Sequence, residues 1–400
     1  MRVTPLAITS NAAVREALAR RGFDDDRADA AARGVSPAAV LVDGVDAALR
    51  DALQRAAARQ PIACLTGEGW VLLAATAAEL AGLARWAAEA VPGPLAAELA
   101  AAVQGALAPP EAWITARGAI PLERPVVVGI VNVTPDSFSD GGRYLKPTAA
   151  LRHADQLVAA GADALDVGAE STRPGRPDPV DAAEEWRRLA PVLDGLARHH
   201  PTVPVSVDTV KAETARRALD AGAWAVNDVS ALRHDPALAE VCATAGAGLI
   251  LMHSRGGLAA MATYDHAAYH EFVPEVVTEL RAAADRARAA GVAASSVVLD
   301  PGFGFAKRPE QNYELLDQLG AITALGYPVM VGPSRKRFLG AMSGKPPAER
   351  DAATAAACVV ARLAGVHLFR VHDAAGAREA LDVVHAARTA GTGAAVGAEG

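Results

Sequence analysis

The stretch VVVGIVNVTPDSFSDGG, residues 126–142, decides the fold. Its first six residues are apolar and mostly β-branched, and the run stops at Asn132. A strand this apolar is expected where both faces are covered, as in a parallel sheet. Such a strand ordinarily leaves through a short turn. Here a polar loop follows instead, carrying Asp136 and Asp140 and closed by Gly141 and Gly142. A loop of that composition reads as one that holds a ligand.

Downstream the same pattern repeats. Short apolar runs occur at 126–131, 164–167, 203–207, 224–226, 248–252, 297–299, 329–331 and 368–371. Ala-, Leu- and charge-rich segments of helical length lie between them, at 149–160, 181–198, 212–221, 274–290 and 310–325. Eight strand–helix units in this span predict an α/β chain with a closed (β/α)8 TIM barrel rather than an open doubly wound sheet. The segment 113–125, with Gly118 at its turn, reads as a hairpin plugging the barrel bottom. The barrel domain is expected over 113–390. Residues 1–112 differ: helical stretches at 47–58, 77–90 and 95–107, with a strand pair near 39–42 and 71–74, suggest a small α/β (or mostly α) domain. Its role is not readable from its residues. Pro109-Pro110 marks a linker, and the tail 391–400, GTGAAVGAEG, reads as disordered.

Bulk properties narrow the function. An apolar fraction of 51% over 400 residues supplies a substantial core, which excludes disorder for most of the chain. The net charge of −7 gives no general pull towards nucleic acid or anionic membrane. No apolar run reaches membrane-span length, and the N-terminus lacks the apolar core of a signal peptide, so a cytoplasmic protein is expected. Cys64, Cys242 and Cys358 are odd in number and far apart, which suits reduced thiols better than disulfides or a zinc cluster.

In such barrels the chemistry sits at the C-terminal ends of the strands. All eight ends carry polar groups: Asn132; the run from Asp166 to Gly175; Asp208; Asn227-Asp228; His253; Asp300 with the loop PGFGF; Ser334-Arg335-Lys336-Arg337; and Arg370-Val371-His372-Asp373. Taken singly, an aspartate there is more often a helix cap, His253 a structural histidine, and SRKR a solvated turn. Together they sort by chemistry. Asp208, Asn227, Asp300 and Lys336 offer donors and acceptors suited to a planar heterocycle. Asn132, Arg370 and His372 offer what a phosphate needs.

These segments, NVTPDSFSDGG, ESTRPG, VSVDT, NDVS, LDPGFGF, GPSRK and RVHD, resemble those of dihydropteroate synthases, in that family's order from about Trp113 to His385. The resemblance implies a transferase of folate biosynthesis. It would condense 6-hydroxymethyl-7,8-dihydropterin diphosphate with 4-aminobenzoate, releasing pyrophosphate and 7,8-dihydropteroate. It places Asp208, Asn227, Asp300 and Lys336 on the pterin, and Asn132, Arg370 and His372 on the diphosphate. A magnesium ion would bridge Asn132 and the phosphate oxygens. Loop residues Phe138, Thr172, Arg173 and Pro174, with Phe305 and Arg337, would frame the aminobenzoate, whose carboxylate would lie near the start of the helix after Ser334. Asp140, Lys336, Arg370 and His372 would carry a dissociative substitution, with Asp140 stabilising the pterin cation. A homodimer and sulfonamide inhibition are also implied. Arg337 stands where a serine is usual; it either binds the carboxylate or points to solvent. Ala169, Ala231 and Ala306 stand where glycines are common.

Two other classes compete. A methyltetrahydrofolate–corrinoid methyltransferase of the related barrel needs neither Arg370/His372 nor the NVTPDSFSDGG loop. Against a non-catalytic pterin-binding paralogue stands the retention of Asn132, Asp140, Thr172, Arg173, Lys336, Arg370 and His372. No hydroxymethylpterin kinase is expected in residues 1–112, which lack suitably spaced acidic metal ligands.

Overall fold

The computed structural model describes residues 37–43, 45–68, 70–90, 110–133, 147–170 and 180–390. The predicted helix at 95–107, the tail 391–400, and the loop residues Phe138, Asp140, Thr172, Arg173 and Pro174 lie outside them. The chain divides into two compact units, one holding Met1–Pro109 and the other mainly Pro110–Thr323 and Tyr327–His385.

The first unit contains β1 (Pro37–Asp43), α1 (Ala47–Ala57), β2 (Ala63–Gly67), β3 (Trp70–Thr76) and α2 (Ala77–Ala90). Helix α1 starts where the Asp46 carboxylate accepts the Leu49 N–H at 2.8 Å, taking up one of the donors a helix start leaves unpaired. The sheet is antiparallel in the order β1-β3-β2. The pairing near 39–42 and 71–74 is present. Strand β2 is an addition, because ACLTG has no clean alternation to announce it. Leu53, Ala57, Val71, Leu73, Leu80 and Leu83 form the core of this unit.

The second unit opens with a hairpin, β4 (Ala112–Thr115) and β5 (Gly118–Pro121), turning at Gly118. Eight parallel strands then alternate with helices. In order they are β6 (Val126–Asn132), α3 (Pro147–Ala159), β7 (Ala164–Gly168), α4 (Ala182–His199), β8 (Val205–Asp208), α5 (Ala212–Asp220), β9 (Ala225–Asp228) and α6 (Ala237–Ala245). They continue as β10 (Gly248–Met252), α7 (Phe272–Ala289), β11 (Val297–Asp300), α8 (Pro309–Asp317), α9 (Gly320–Thr323), β12 (Met330–Val331), α10 (Arg337–Ala341), α11 (Asp351–Leu363), β13 (Leu368–Val371) and α12 (Ala374–Thr389). The strand order is β11-β10-β9-β8-β7-β6-β13-β12. A bridge between Leu299 and Val329 joins its two ends and closes the barrel. The single helix predicted over 310–325 is two, α8 and α9, separated near Leu319.

Strands β7 and β10 are buried at every position, as expected with helices outside and a filled interior. The hairpin closes one end. Trp113, 2% exposed, packs with Ile120, Val128, Ala164, Ala225, Ile250 and Val298. Its indole Nε1–H donates to the Ser296 carbonyl at 2.9 Å. Gly248 makes room for it, since a Cβ there would lie 2.6 Å from the indole ring. That plug leaves the opposite, C-terminal end of the strands for chemistry.

Candidate active site

Period-two alternation aims the inward residues of neighbouring strands at one another. Asp166 on β7 pairs in register with Ser206 on β8, and Asp208 with Asn227 on β9. Met252 of β10 stands beside Asp300 of β11. Arg370, on β13, reaches across the barrel: its Nε donates to Asp166 Oδ2 at 2.6 Å and its Nη2 to Asp208 Oδ2 at 3.0 Å. Asp166 also accepts from the Ser206 hydroxyl at 2.6 Å and from Asn227 Nδ2 at 3.1 Å. A Cβ at position 168 would press within 3.2 Å of Asp208, so Gly168 leaves that carboxylate its place.

Asp166 was only one letter of a strand end in the sequence, and its role was missed. It is fully buried and holds Arg370 and Asn227 in one network. An aspartate inside the otherwise apolar run ALDVG was the available signal, because a buried carboxylate needs partners. Asp228, the last residue of β9, is structural. Its oxygens take the N–H groups of Ser230 and Leu232 at 2.8 and 2.6 Å, shaping the next turn.

On the other side of the opening, Lys336 donates from Nζ to the Phe303 carbonyl and lies 4.2 Å from the centre of the Phe305 ring. The turn that presents both is DPGFGFAK. Asp300 Oδ1 accepts the Gly302 N–H at 2.7 Å, and Asn312 Oδ1 accepts the Gly304 N–H at 2.6 Å. Gly302 and Gly304 both have positive φ, 69° and 76°. A side chain on Gly302 would strike the His253 carbonyl, and one on Gly304 would touch Lys336. Ala306 adopts φ 46° and Ala231 φ 51°, a region costly for any residue with a Cβ. Those two alanines therefore carry strain that glycine would not.

Electrostatics follow from burial. Asp208 is pushed up to about 7, first by burial and then by the nearby Asp166 carboxylate, against the pull of Arg370. Burial likewise raises Asp300, and lowers Lys336 to about 7. Cys242 and Cys358 are raised to about 12 by burial, so neither supplies a thiolate nucleophile.

Each residue of SRKR has its own task. Ser334 pairs its hydroxyl with His372 Nδ1 at 2.9 Å and also accepts the His372 N–H. Arg335 forms a two-point pair with Asp351 at 2.8 Å. Lys336 enters the site. Arg337 is exposed but tethered, donating to the Ala262 carbonyl at 3.0 Å and lying 4.8 Å from the centre of the Tyr264 ring. Asn132 ends β6, half-buried, and β6 runs beside β13, the strand of Arg370.

One atom has not been answered. Asn227 Oδ1 is buried and finds no hydrogen-bond partner among the described residues.

Residues 128–372 match the pterin binding enzyme family. A dihydropteroate synthase of Mycobacterium leprae is 46% identical over 268 residues, covering 65% of this chain and 92% of that relative. This chain belongs to the dihydropteroate synthase family. A Xanthomonas albilineans dihydropteroate synthase solved with 4-aminobenzoic acid superposes with a TM-score of 0.63 at 42% identity, covering 68% of this chain and 95% of that one. The Burkholderia cenocepacia dihydropteroate synthase solved with 7,8-dihydropteroate gives 0.64 at 39%, covering 71% and 98%. The chain has the family's transferase activity in folate biosynthesis, joining 6-hydroxymethyl-7,8-dihydropterin diphosphate to 4-aminobenzoate. No helix among the described residues is long and apolar enough to cross a membrane.

Proposed function

We propose a division of labour in which the described rim binds the pterin diphosphate and the loops bind the aminobenzoate. The observation that carries it is Asn227 Oδ1, a buried acceptor without a donor. Leaving such an atom unpaired costs about 1–3 kcal/mol, and an N–H of the pterin would remove that cost. Asn227, Asp208 and Asp300 then face the amino and ring N–H groups, while Lys336 donates to the ring. Their opposed demands, two carboxyl groups and one amide oxygen against one ammonium donor, match a heterocycle with donors on one edge and acceptors on another.

Arg370 and His372 take the diphosphate. Arg370 arrives already oriented by Asp166, and His372 by Ser334. As the pterin C–O bond breaks, charge grows on the departing pyrophosphate, and donors aimed there in advance stabilise it. Asp140 then stabilises the cation left on the pterin, and the aminobenzoate amine attacks that carbon. Phe138, Thr172, Arg173 and Pro174, with Phe305, frame the aminobenzoate. Arg337, tethered over Tyr264, stands close enough in sequence to Lys336 to shape the carboxylate end. A sulfonamide, which resembles 4-aminobenzoate, would compete there.

Magnesium fits this set as an ion that borrows ligands. Among the described residues no group of three or more His, Cys, Asp or Glu could hold a metal. Asn132 offers a single neutral oxygen at the end of β6, and magnesium characteristically takes its remaining ligands from substrate phosphates and water. When bound it would neutralise charge on the diphosphate. The protein acts as a cytoplasmic homodimer, a reading supported by apolar side chains left exposed on the barrel helices, Val360 and Leu363 on α11 and Val383 on α12. The barrel domain, 113–390, holds all the chemistry.

The test is incubation with dihydropterin diphosphate, labelled 4-aminobenzoate and magnesium, following labelled dihydropteroate and pyrophosphate together. Arg370→Ala is expected to lower kcat/KM by roughly 10²–10³-fold, as loss of a preorganised donor does. A chain beginning at Glu111 is expected to keep turnover. Wild-type rates in Arg370→Ala would overturn the assignment of the diphosphate.

A further inference from the structure

Beside the site lies a buried lysine to which the reaction assigns nothing. Lys307 follows the turn DPGFGFA and is 1% exposed. Its Nζ has three neighbours: His253 Nδ1 at 2.8 Å, the Gly302 carbonyl at 3.2 Å and the Phe305 carbonyl at 3.1 Å. Three acceptors are what an ammonium, with three N–H donors and no lone pair, requires. They also fix the histidine. With Nδ1 accepting from Lys307, the Nε2–H of His253 donates to Glu279 at 3.0 Å. Glu279 is held in turn by Arg255, which stacks on Tyr269. The Tyr269 hydroxyl returns to the same turn, donating to the Ala306 carbonyl at 3.0 Å.

The turn so gripped is the one that meets Lys336. Gly302, Phe303 and Phe305 belong to it, and Lys336 takes the Phe303 carbonyl and the Phe305 ring as its contacts. The turn takes an unusual path, with Gly302, Gly304 and Ala306 all at positive φ, and its N–H groups are taken by Asp300, Asn312 and the Met261 carbonyl. The Gly302 carbonyl accepts the Phe305 N–H as well as Lys307, and the Phe305 carbonyl is met by Lys307 at 3.1 Å.

We propose that Lys307 is a positioning residue for the reaction: its ammonium, held by His253 and Glu279, staples the Gly302 and Phe305 carbonyls and so places the two contacts that orient Lys336. The inference rests on the assignment of Lys336 to the pterin. The lysine touches no substrate. Asp300, Lys336, Glu279 and Arg255 are the charged groups around it, and burial lowers its pKa to about 7. Its three acceptors favour the ammonium against that burial, and His253, lowered to about 4 by burial and by Lys307, is neutral and suited to accept.

Steady-state kinetics of the full chain with both substrates and magnesium test this. Lys307→Met keeps the stem and deletes three hydrogen bonds. It is expected to lower kcat/KM for dihydropterin diphosphate by about 30-fold in the enzyme that folds. A purely structural role would instead reduce the amount of folded enzyme and leave the constants of the remainder intact, which overturns the proposal. Should Lys307→Met fail to fold, the pair His253→Asn and His253→Leu decides. Asn restores an acceptor near the Nδ1 position and is expected within about threefold of wild type, whereas Leu is expected to fall about tenfold. Equal kinetics for the pair would overturn the inference. Lys336→Met separates the two claims. If it abolishes turnover while the Lys307 and His253 variants do nothing, only the positioning role fails. If Lys336→Met is itself harmless, the pterin assignment beneath it fails.

Discussion

The two ends of the barrel are built from the same strands and obey opposite rules. At the lower end Trp113, Ile120, Val128 and Met330 interlock without a charged group, and the polar groups of the plug, the Trp113 indole N–H and the Thr115 hydroxyl, are both paired. At the upper end Asp166, Asp208, Asp300, Lys336 and Arg370 converge in a small volume, and Asn227 keeps an unpaired buried oxygen. One end gains free energy on folding; the other gives some up. Charges gathered without a ligand cost desolvation that their mutual pairing only partly returns. The difference locates function at the end that folding alone would not have chosen.

Trp113→Ala is the largest blow to that contrast. Emptying the plug is expected to cost about 3–5 kcal/mol of unfolding free energy in urea titration, as large-to-small core changes do. The kcat/KM of the folded fraction should be unchanged. A loss of specific activity in molecules that remain folded would mean that the two ends are coupled and the contrast is false.

The upper end makes a prediction about pH. Burial and then the Asp166 carboxylate disfavour the charge of Asp208 and push it from an ordinary value near 3.8 up to about 7. Between those values the folded protein binds more protons than the unfolded chain, so this group lowers stability as pH rises through that window. Without ligand, the wild-type protein should lose more stability from pH 4 to pH 7 than Asp208→Asn does, by chemical denaturation at each pH. Parallel curves would show that Asp208 carries no such burden.

Ala306→Gly gives the smallest effect. Relief of the left-handed conformation favours glycine, and the greater freedom of the unfolded chain opposes it, for a net gain of up to about 1 kcal/mol. A rise in thermal midpoint is expected, and a fall would mean that the buried methyl matters more than the strain.

Much of this was legible before any coordinates. The eight β-branched runs announced the barrel because parallel strands are apolar on both faces, and the hairpin announced itself through Gly118. Asn132, Asp208, Asn227, Asp300, Lys336, Arg370 and His372 stood at strand ends where a barrel's chemistry gathers. What could not be read was pairing over distance. Asp166 earns its role from Arg370, 204 residues away, and Lys307 from His253, 54 residues away. Lys307 also precedes helix α8, where a lysine reads as an ordinary surface residue. The break between α8 and α9 and the short strand β2 left no periodic trace. Tertiary contacts decided all four.

The most direct measurement is a calorimetric titration of the full chain with 6-hydroxymethyl-7,8-dihydropterin diphosphate, comparing wild type with Asp300→Ala and Trp113→Phe. Asp300→Ala leaves pterin donors unpaired, so a loss of about 1–3 kcal/mol in binding, roughly 5- to 150-fold, is predicted. Trp113→Phe, at the opposite end, is predicted to bind as wild type. Equal affinity in Asp300→Ala would contradict the placement of the pterin at the upper rim.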